Sequence, residues 1–162
     1  MSTPIDVGTM ISGIQRWVEA ESPTSDKAAV NRMVDLVQSD VADLPVAVER
    51  VPGRGGFADN LIVRNRAAGD GKGIVILSHI DTVHPIGTLA NGLPFRRDGD
   101  RLYGPGLFDM KGGAYLALEA FRQVATRLPG WRLDALGAYF AYLRLPEDSP
   151  SAMPAAEALA TG

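Results

Sequence analysis

The chain has two histidines in 162 residues, and both stand in SHIDTVH at 78–84, with Asp81 between them, at the end of the apolar run GIVILS. Side chains alternate along an extended strand, so His79 and Asp81, two apart, point to the same side where the strand ends. That placement suits a metal ligand. An imidazole that binds a cation through one nitrogen commonly donates its other N–H to a carboxylate, which fixes the tautomer and makes the ligating nitrogen more basic. The carboxyl ends of strands are also where open α/β sheets place their ligands. The plainer alternative is a hydrogen-bonded histidine at a strand end, with Asp81 forming the turn before Thr82. His84 falls outside the alternation and precedes Pro85, so it reads as a solvated loop histidine.

A second unusual stretch is GPGLFDMKGG at 104–113. Glycines permit close backbone approach, so this loop can fold tightly around whatever Asp109 holds. Asp109 also lies just before a helical segment, where aspartate is a favoured N-cap. A phosphate cradle fits poorly, because the glycine spacing matches neither the P-loop nor the dinucleotide fingerprint and Lys111 is followed by glycine.

The elements that must position these residues are legible from periodicity. Met10, Ile11, Ile14, Trp17 and Val18 have the three-and-four spacing of one helical face, which ends before Ser22-Pro23. Val30, Met33, Val34, Val37 and Val41 repeat it after Ser25-Asp26, which can cap the start. Val46, Val48 and Val51 form one strand and NLIVR at 60–64 a second, paired across the turn PGRGG. GIVILS at 73–78 is continuously apolar, as a central strand covered on both faces would be. Residues from Lys111 to about 128 are helical by composition, and GAYFAYL at 137–143 reads as another buried strand. Alternating helices and apolar strands predict an α/β layered fold.

Composition limits the partners. Hydrophobic residues make up 46% and charged residues 22%, which is ordinary for a packed soluble domain. The net charge of -3 and the absence of a basic run with aromatics argue against nucleic acid. No stretch of about eighteen apolar residues and no leader pattern is seen, so we expect a cytoplasmic protein without a membrane partner. With no cysteine, any metal must be held by imidazole and carboxylate.

Taken together, SHIDTVHPIGTLANGLPFRRDGDRLYGPGLFDMKGG at 78–113 resembles the two-zinc metallopeptidase family that includes glutamate carboxypeptidase, acetylornithine deacetylase, succinyl-diaminopimelate desuccinylase and aminoacylase. The forms GTLA, PFRRDGDRLYGPG and DMKGG look most like the glutamate carboxypeptidase branch. The likeness runs over about residues 8–130 and takes in ESPTSD and DNLIV. It implies the N-terminal portion of a three-layer α/β/α catalytic domain, incomplete in this chain. It also implies that His79 binds one zinc, that Asp109 bridges two, and that Asp81 orients His79. Cobalt or manganese are expected substitutes for zinc. A cis peptide after Asp109 follows from the same resemblance. The activity implied is hydrolysis of an amide beside a free carboxylate, with a small peptide or N-acyl amino acid as substrate and a homodimer as the complete form.

The resemblance weakens after the helix, where the family has an Asp-Glu-Glu-x-Gly-Ser type motif. Here the residues are GAYFAYLRLPEDSPSA, and Glu147-Asp148 stands nearest the expected place. Glu147 is the candidate general base and Asp148 a candidate further ligand, the alternative being solvated loop carboxylates. From Leu133 onward Arg144 is the only basic residue, and LPEDSPSAMPAAEALATG at 145–162 mixes Pro, Ser and Ala without amphipathic period, so we expect the catalytic-domain portion to occupy 1–133 and a divergent, disordered tail to follow over 134–162. On these grounds the chain reads as the front part of a longer enzyme, inactive alone. The reading from a different class is a non-catalytic remnant or interaction module that keeps the scaffold.

Overall fold

The computed structural model describes residues 6–65, 74–127 and 133–137. Helix α1 (Val7–Glu19) begins where the Asp6 carboxylate accepts the N–H groups of Gly8 and Thr9, and it buries Ile14, Trp17 and Val18. Helix α2 (Lys27–Asp40) is capped by Asp26, which accepts the Ala29 N–H at 2.9 Å, and it buries Val30, Met33, Val34 and Val37. Their ends are tied together, because Asp40 accepts both Trp17 Nε1 at 2.7 Å and the Arg16 guanidinium.

Strands β1 (Val46–Val51) and β2 (Asn60–Asn65) pair antiparallel, with Val46 opposite Asn65 and Val51 opposite Asn60. Strand β3 is Ile74–Ser78. The short helix α3 (Thr88–Asn91) and the hairpin of β4 (Arg96–Asp98) and β5 (Arg101–Tyr103) follow in the long loop. Helix α4 (Gly112–Arg127) leads to β6 (Leu133–Gly137). The main sheet runs β1-β2-β6-β3, with β6 antiparallel to β2 and parallel to β3.

The three long helices share one core with the sheet. Val46, Leu61, Val63 and Ile80 meet Trp17, Met33, Val34, Leu118 and Phe121 in a single cluster. Phe121 is fully buried, which contributes roughly 1.5–3 kcal/mol for such a side chain. The Tyr115 ring meets Trp17 edge to face at 5.1 Å, joining α4 to α1. Arg122 on α4 donates to Asp43 at 3.0 Å and to the Asp40 carbonyl, closing the helical layer at its far end. No helix among the described residues is long and apolar enough to cross a membrane.

This is the expected α/β class, with one helical layer and the sheet of an incomplete three-layer arrangement. Two expectations differ. Strand β3 stands at the end of the strand order among the described residues, and Val75 and Leu77, both 54% exposed, lie on the sheet face away from the core. An apolar run reports that a strand can be covered, while its neighbours are set by distant pairing. The later strand also begins at Leu133, four residues before the predicted one, so the expected boundary after residue 133 falls inside β6. Residues 138–143 of that predicted strand, and Glu147 and Asp148, lie outside the described residues.

Candidate functional site

His79 follows the last residue of β3, and Asp109 sits in a kinked turn, Leu107–Lys111, just before α4. The turn departs from helical geometry at Asp109 (φ -125, ψ 93), which swings its side chain toward the sheet end. His79 Nε2 lies 3.0 Å from Asp109 Oδ1. On the other side of the ring, Nδ1 lies 3.1 Å from the Asp81 carbonyl and 3.4 Å from Asp81 Oδ1. Nδ1 thus faces both the carboxylate and the backbone oxygen of Asp81, the residue expected to orient it, and the backbone oxygen is the nearer. The peptide bond Asp109–Met110 is cis, as the resemblance implies.

This geometry has a chemical consequence. The Asp81 carbonyl and the Asp109 carboxylate both accept, and a neutral imidazole has one N–H. A cation between Nε2 and Oδ1 satisfies the remaining contact, and a nitrogen and an oxygen are the donors that zinc takes from His and Asp. The Asp109 side chain is 76% exposed and His79 23%, so the pair opens to solvent. Asp81 behind them is buried. The two residues therefore fit part of a metal centre. Among the described residues no group of three or more His, Cys, Asp or Glu converges as a complete one. His84 is half-buried in the loop before Pro85, and none of the contacts that hold His79 involves it.

Two supports of this arrangement escaped sequence reasoning. The first is the segment Glu21–Thr24, between α1 and α2. Ser22 Oγ donates to the Ile80 carbonyl at 2.7 Å, the Thr82 N–H to Ser22 O at 2.8 Å, and the Thr24 N–H to Thr82 O at 2.9 Å. The Thr24 hydroxyl donates to Asp81 Oδ2. Glu21 accepts the N–H groups of Gly87 at 2.7 Å and Leu89 at 2.9 Å. Burial alone would raise the Glu21 carboxyl, but those N–H groups, that of Thr88 and the Lys111 charge outweigh it and hold it below its ordinary value.

The second support is Lys111. It is fully buried, and Nζ donates to the carbonyls of Trp17 at 2.9 Å and Ala20 at 2.8 Å, the open C-terminal end of α1. Burial lowers its pKa to about 8 against the opposing pull of Glu21 and Asp81. Anchored there, Lys111 fixes the end of the turn that carries Asp109. Neither support has a local signal, since short polar residues beside proline read as a loop and a lysine before a helix reads as solvated.

Comparison with known proteins points to one family. Residues 75–134 match peptidase family M20/M25/M40. The chain is 32% identical over 114 residues, 70% of its length, to carboxypeptidase G2 of Pseudomonas sp. (strain RS-16), and spans 27% of that relative. Its fold is similar to aminopeptidase PepT from Bacillus cereus ATCC 10987, with a TM-score of 0.65 and 23% identity over 82% of this chain and 36% of that one. It is also similar to the M20 family metallo-carboxypeptidase Sso-CP2 from Sulfolobus solfataricus, with a TM-score of 0.64 and 15% identity over 82% of this chain and 30% of that one.

Proposed function

Because the chain belongs with the metallopeptidases of family M20/M25/M40 over its N-terminal part, we propose that it carries one side of a two-zinc hydrolytic centre, with His79 and Asp109 as ligands. The observation that carries this reading is the 3.0 Å approach of His79 Nε2 to Asp109 Oδ1 on a solvent-open surface, with a second acceptor already engaging Nδ1. The reaction class is hydrolysis of an amide beside a free carboxylate, releasing C-terminal glutamate or a related N-acylated amino acid. Zinc, or cobalt or manganese in its place, supplies Lewis acidity and a more acidic water when bound.

The residues of this chain supply position and charge. His79 presents Nε2 to the centre, Asp109 brings an exposed anionic oxygen opposite it, and Asp81 holds the ring from behind. Lys111 and Glu21 fix the two loops from below, so that neither ligand must be ordered when the cation arrives, which is the use of preorganised supports. Glu147 is proposed as the general base and Asp148 as a further ligand, with a homodimer and a cytoplasmic setting for the complete enzyme. A catalytic zinc usually has three protein ligands. With His79 and Asp109 as its two dependable ones, residues 1–162 should bind zinc weakly and not turn over.

The test is zinc stoichiometry by elemental analysis and affinity by calorimetric titration for wild type, His79→Ala and Asp81→Ala, alongside an assay for glutamate release. Loss of a ligand should abolish the measurable site, whereas Asp81→Ala should weaken it roughly 10 to 100-fold. Equal and negligible effects of both substitutions would refute the metal assignment. Tight stoichiometric zinc with chelator-sensitive turnover would refute the inactivity.

A further inference from the structure

Asn91–Gly92 is the one asparagine–glycine pair in the sequence, and both residues are exposed at the end of α3. We propose that Asn91 is a self-modification site, converting through a cyclic imide to aspartate and isoaspartate, and that the grip of Glu21 on α3 sets the rate. The reaction needs only water and its hydroxide. The Gly92 nitrogen, once it has lost its proton to hydroxide, adds to Asn91 Cγ. The bond from Cγ to Nδ2 breaks, Nδ2 takes up a proton and leaves as ammonia, and water then opens the ring at either carbonyl. Glycine favours this closure because no Cβ crowds the attacking nitrogen. The other asparagines have bulky followers: Asn31, in α2, precedes Arg32, and Asn60 and Asn65, in β2, precede Leu61 and Arg66.

The native fold withholds the reacting atoms. The Gly92 N–H donates to the Thr88 carbonyl and Asn91 Nδ2 donates to the Gly87 carbonyl at 3.0 Å, so neither group is free while α3 is closed. Four residues do not hold such a helix by themselves, since an isolated one needs about 12–15. The hold comes from Glu21, whose two oxygens accept the N–H groups of Gly87 at 2.7 Å and Leu89 at 2.9 Å. The Leu89 N–H is one of the first-turn donors that a helix cannot satisfy internally. Opening α3 breaks this clamp, so the clamp sets how often the Gly92 nitrogen is free, and conversion follows that fraction. Conversion also reinforces itself: an acid at position 91 loses the donor to the Gly87 carbonyl, and isoaspartate lengthens the backbone inside α3. None of this depends on a bound cation.

The test is peptide mapping by mass spectrometry of the full chain, held native at mildly alkaline pH, with isoaspartate read separately from aspartate. Asn91 should convert ahead of Asn31, Asn60 and Asn65. Glu21→Gln should speed its conversion roughly fivefold, because the amide puts a donor where one of the two accepting oxygens stood. Gly92→Ala should slow it several-fold without unfolding the chain, since nothing lies within 4 Å of the added Cβ. Conversion of Asn91 no faster than that of Asn60 would overturn the site, and a Gly92→Ala rate equal to wild type would overturn the ring-closure route. A Glu21→Gln rate within about twofold of wild type would overturn the clamp. Should Glu21→Gln not fold, Asn91→Asp decides the clamp from its other side, because coupling between the two is reciprocal. Amide hydrogen exchange at Gly87 and Leu89 should then quicken relative to that in β2, and unchanged exchange at both would overturn the clamp.

Discussion

Replacing Gly106 by alanine should destabilise the fold more than the same replacement at Gly99, and the difference measures how tightly the Asp109 turn is seated against the histidine loop. Both glycines have left-handed backbone, with φ of 66° and 57°. Alanine in that conformation costs roughly 1–2 kcal/mol, offset in part by about 0.4–1 kcal/mol from a less flexible unfolded chain. Those two effects are common to both sites. Around Gly99 a new Cβ meets nothing within 4 Å, whereas at Gly106 it would stand 2.2 Å from Thr82 Cγ2 and 3.2 Å from Thr82 Cβ. Carbon atoms in good contact lie about 3.5–4.0 Å apart, so one partner must move by more than an ångström. Thr82 cannot yield freely, because its N–H and carbonyl are bonded to Ser22 and Thr24. Overpacking of this kind costs about 1–3 kcal/mol. Urea unfolding at equilibrium should therefore place Gly106→Ala about 1–3 kcal/mol below Gly99→Ala, and Thr82→Ala should recover part of that gap in a double-mutant cycle. Equal midpoints for the two variants would refute the close seating of residues 104–109 against Thr82.

Two further outcomes test the supports. Lys111→Met removes both donors from the Trp17 and Ala20 carbonyls but also relieves a buried amine, so the expected net loss is about 1–3 kcal/mol in the urea midpoint; a neutral or stabilised variant would show the amine to be a burden and not a cap. Asp59 is held below its ordinary value of 3.8, chiefly by Arg50 at 2.7 Å with help from the Gly53 N–H. Its stabilisation is present above that value and lost as pH falls through the lower folded one, so Asp59→Asn should flatten the acid limb of stability against pH below about 4. Parallel wild-type and variant curves there would refute it.

Both N-terminal helices, the β1–β2 pair and the start of α4 could be read directly from the chain, because each depends on contacts within a few residues or across one turn. The Asp26 cap is where the sequence places it, and so is the strand that ends just before His79. The position of β3 was not legible. Its apolar run is equally consistent with a middle or an end place, and insertion of β6 between β2 and β3 follows from pairings more than fifty residues apart.

The site divides along the same line. That His79, Asp81 and Asp109 have the right chemistry follows from residue type and spacing, as does the likeness to a known family. Their distances do not, because thirty residues separate His79 from Asp109 and the kinked turn alone brings Nε2 and Oδ1 to 3.0 Å. Still less legible were the buried Lys111 under α1 and the Thr24 hydroxyl on Asp81. Each satisfies a polar group left over by a distant element, and that need arises when the helices and the sheet come together.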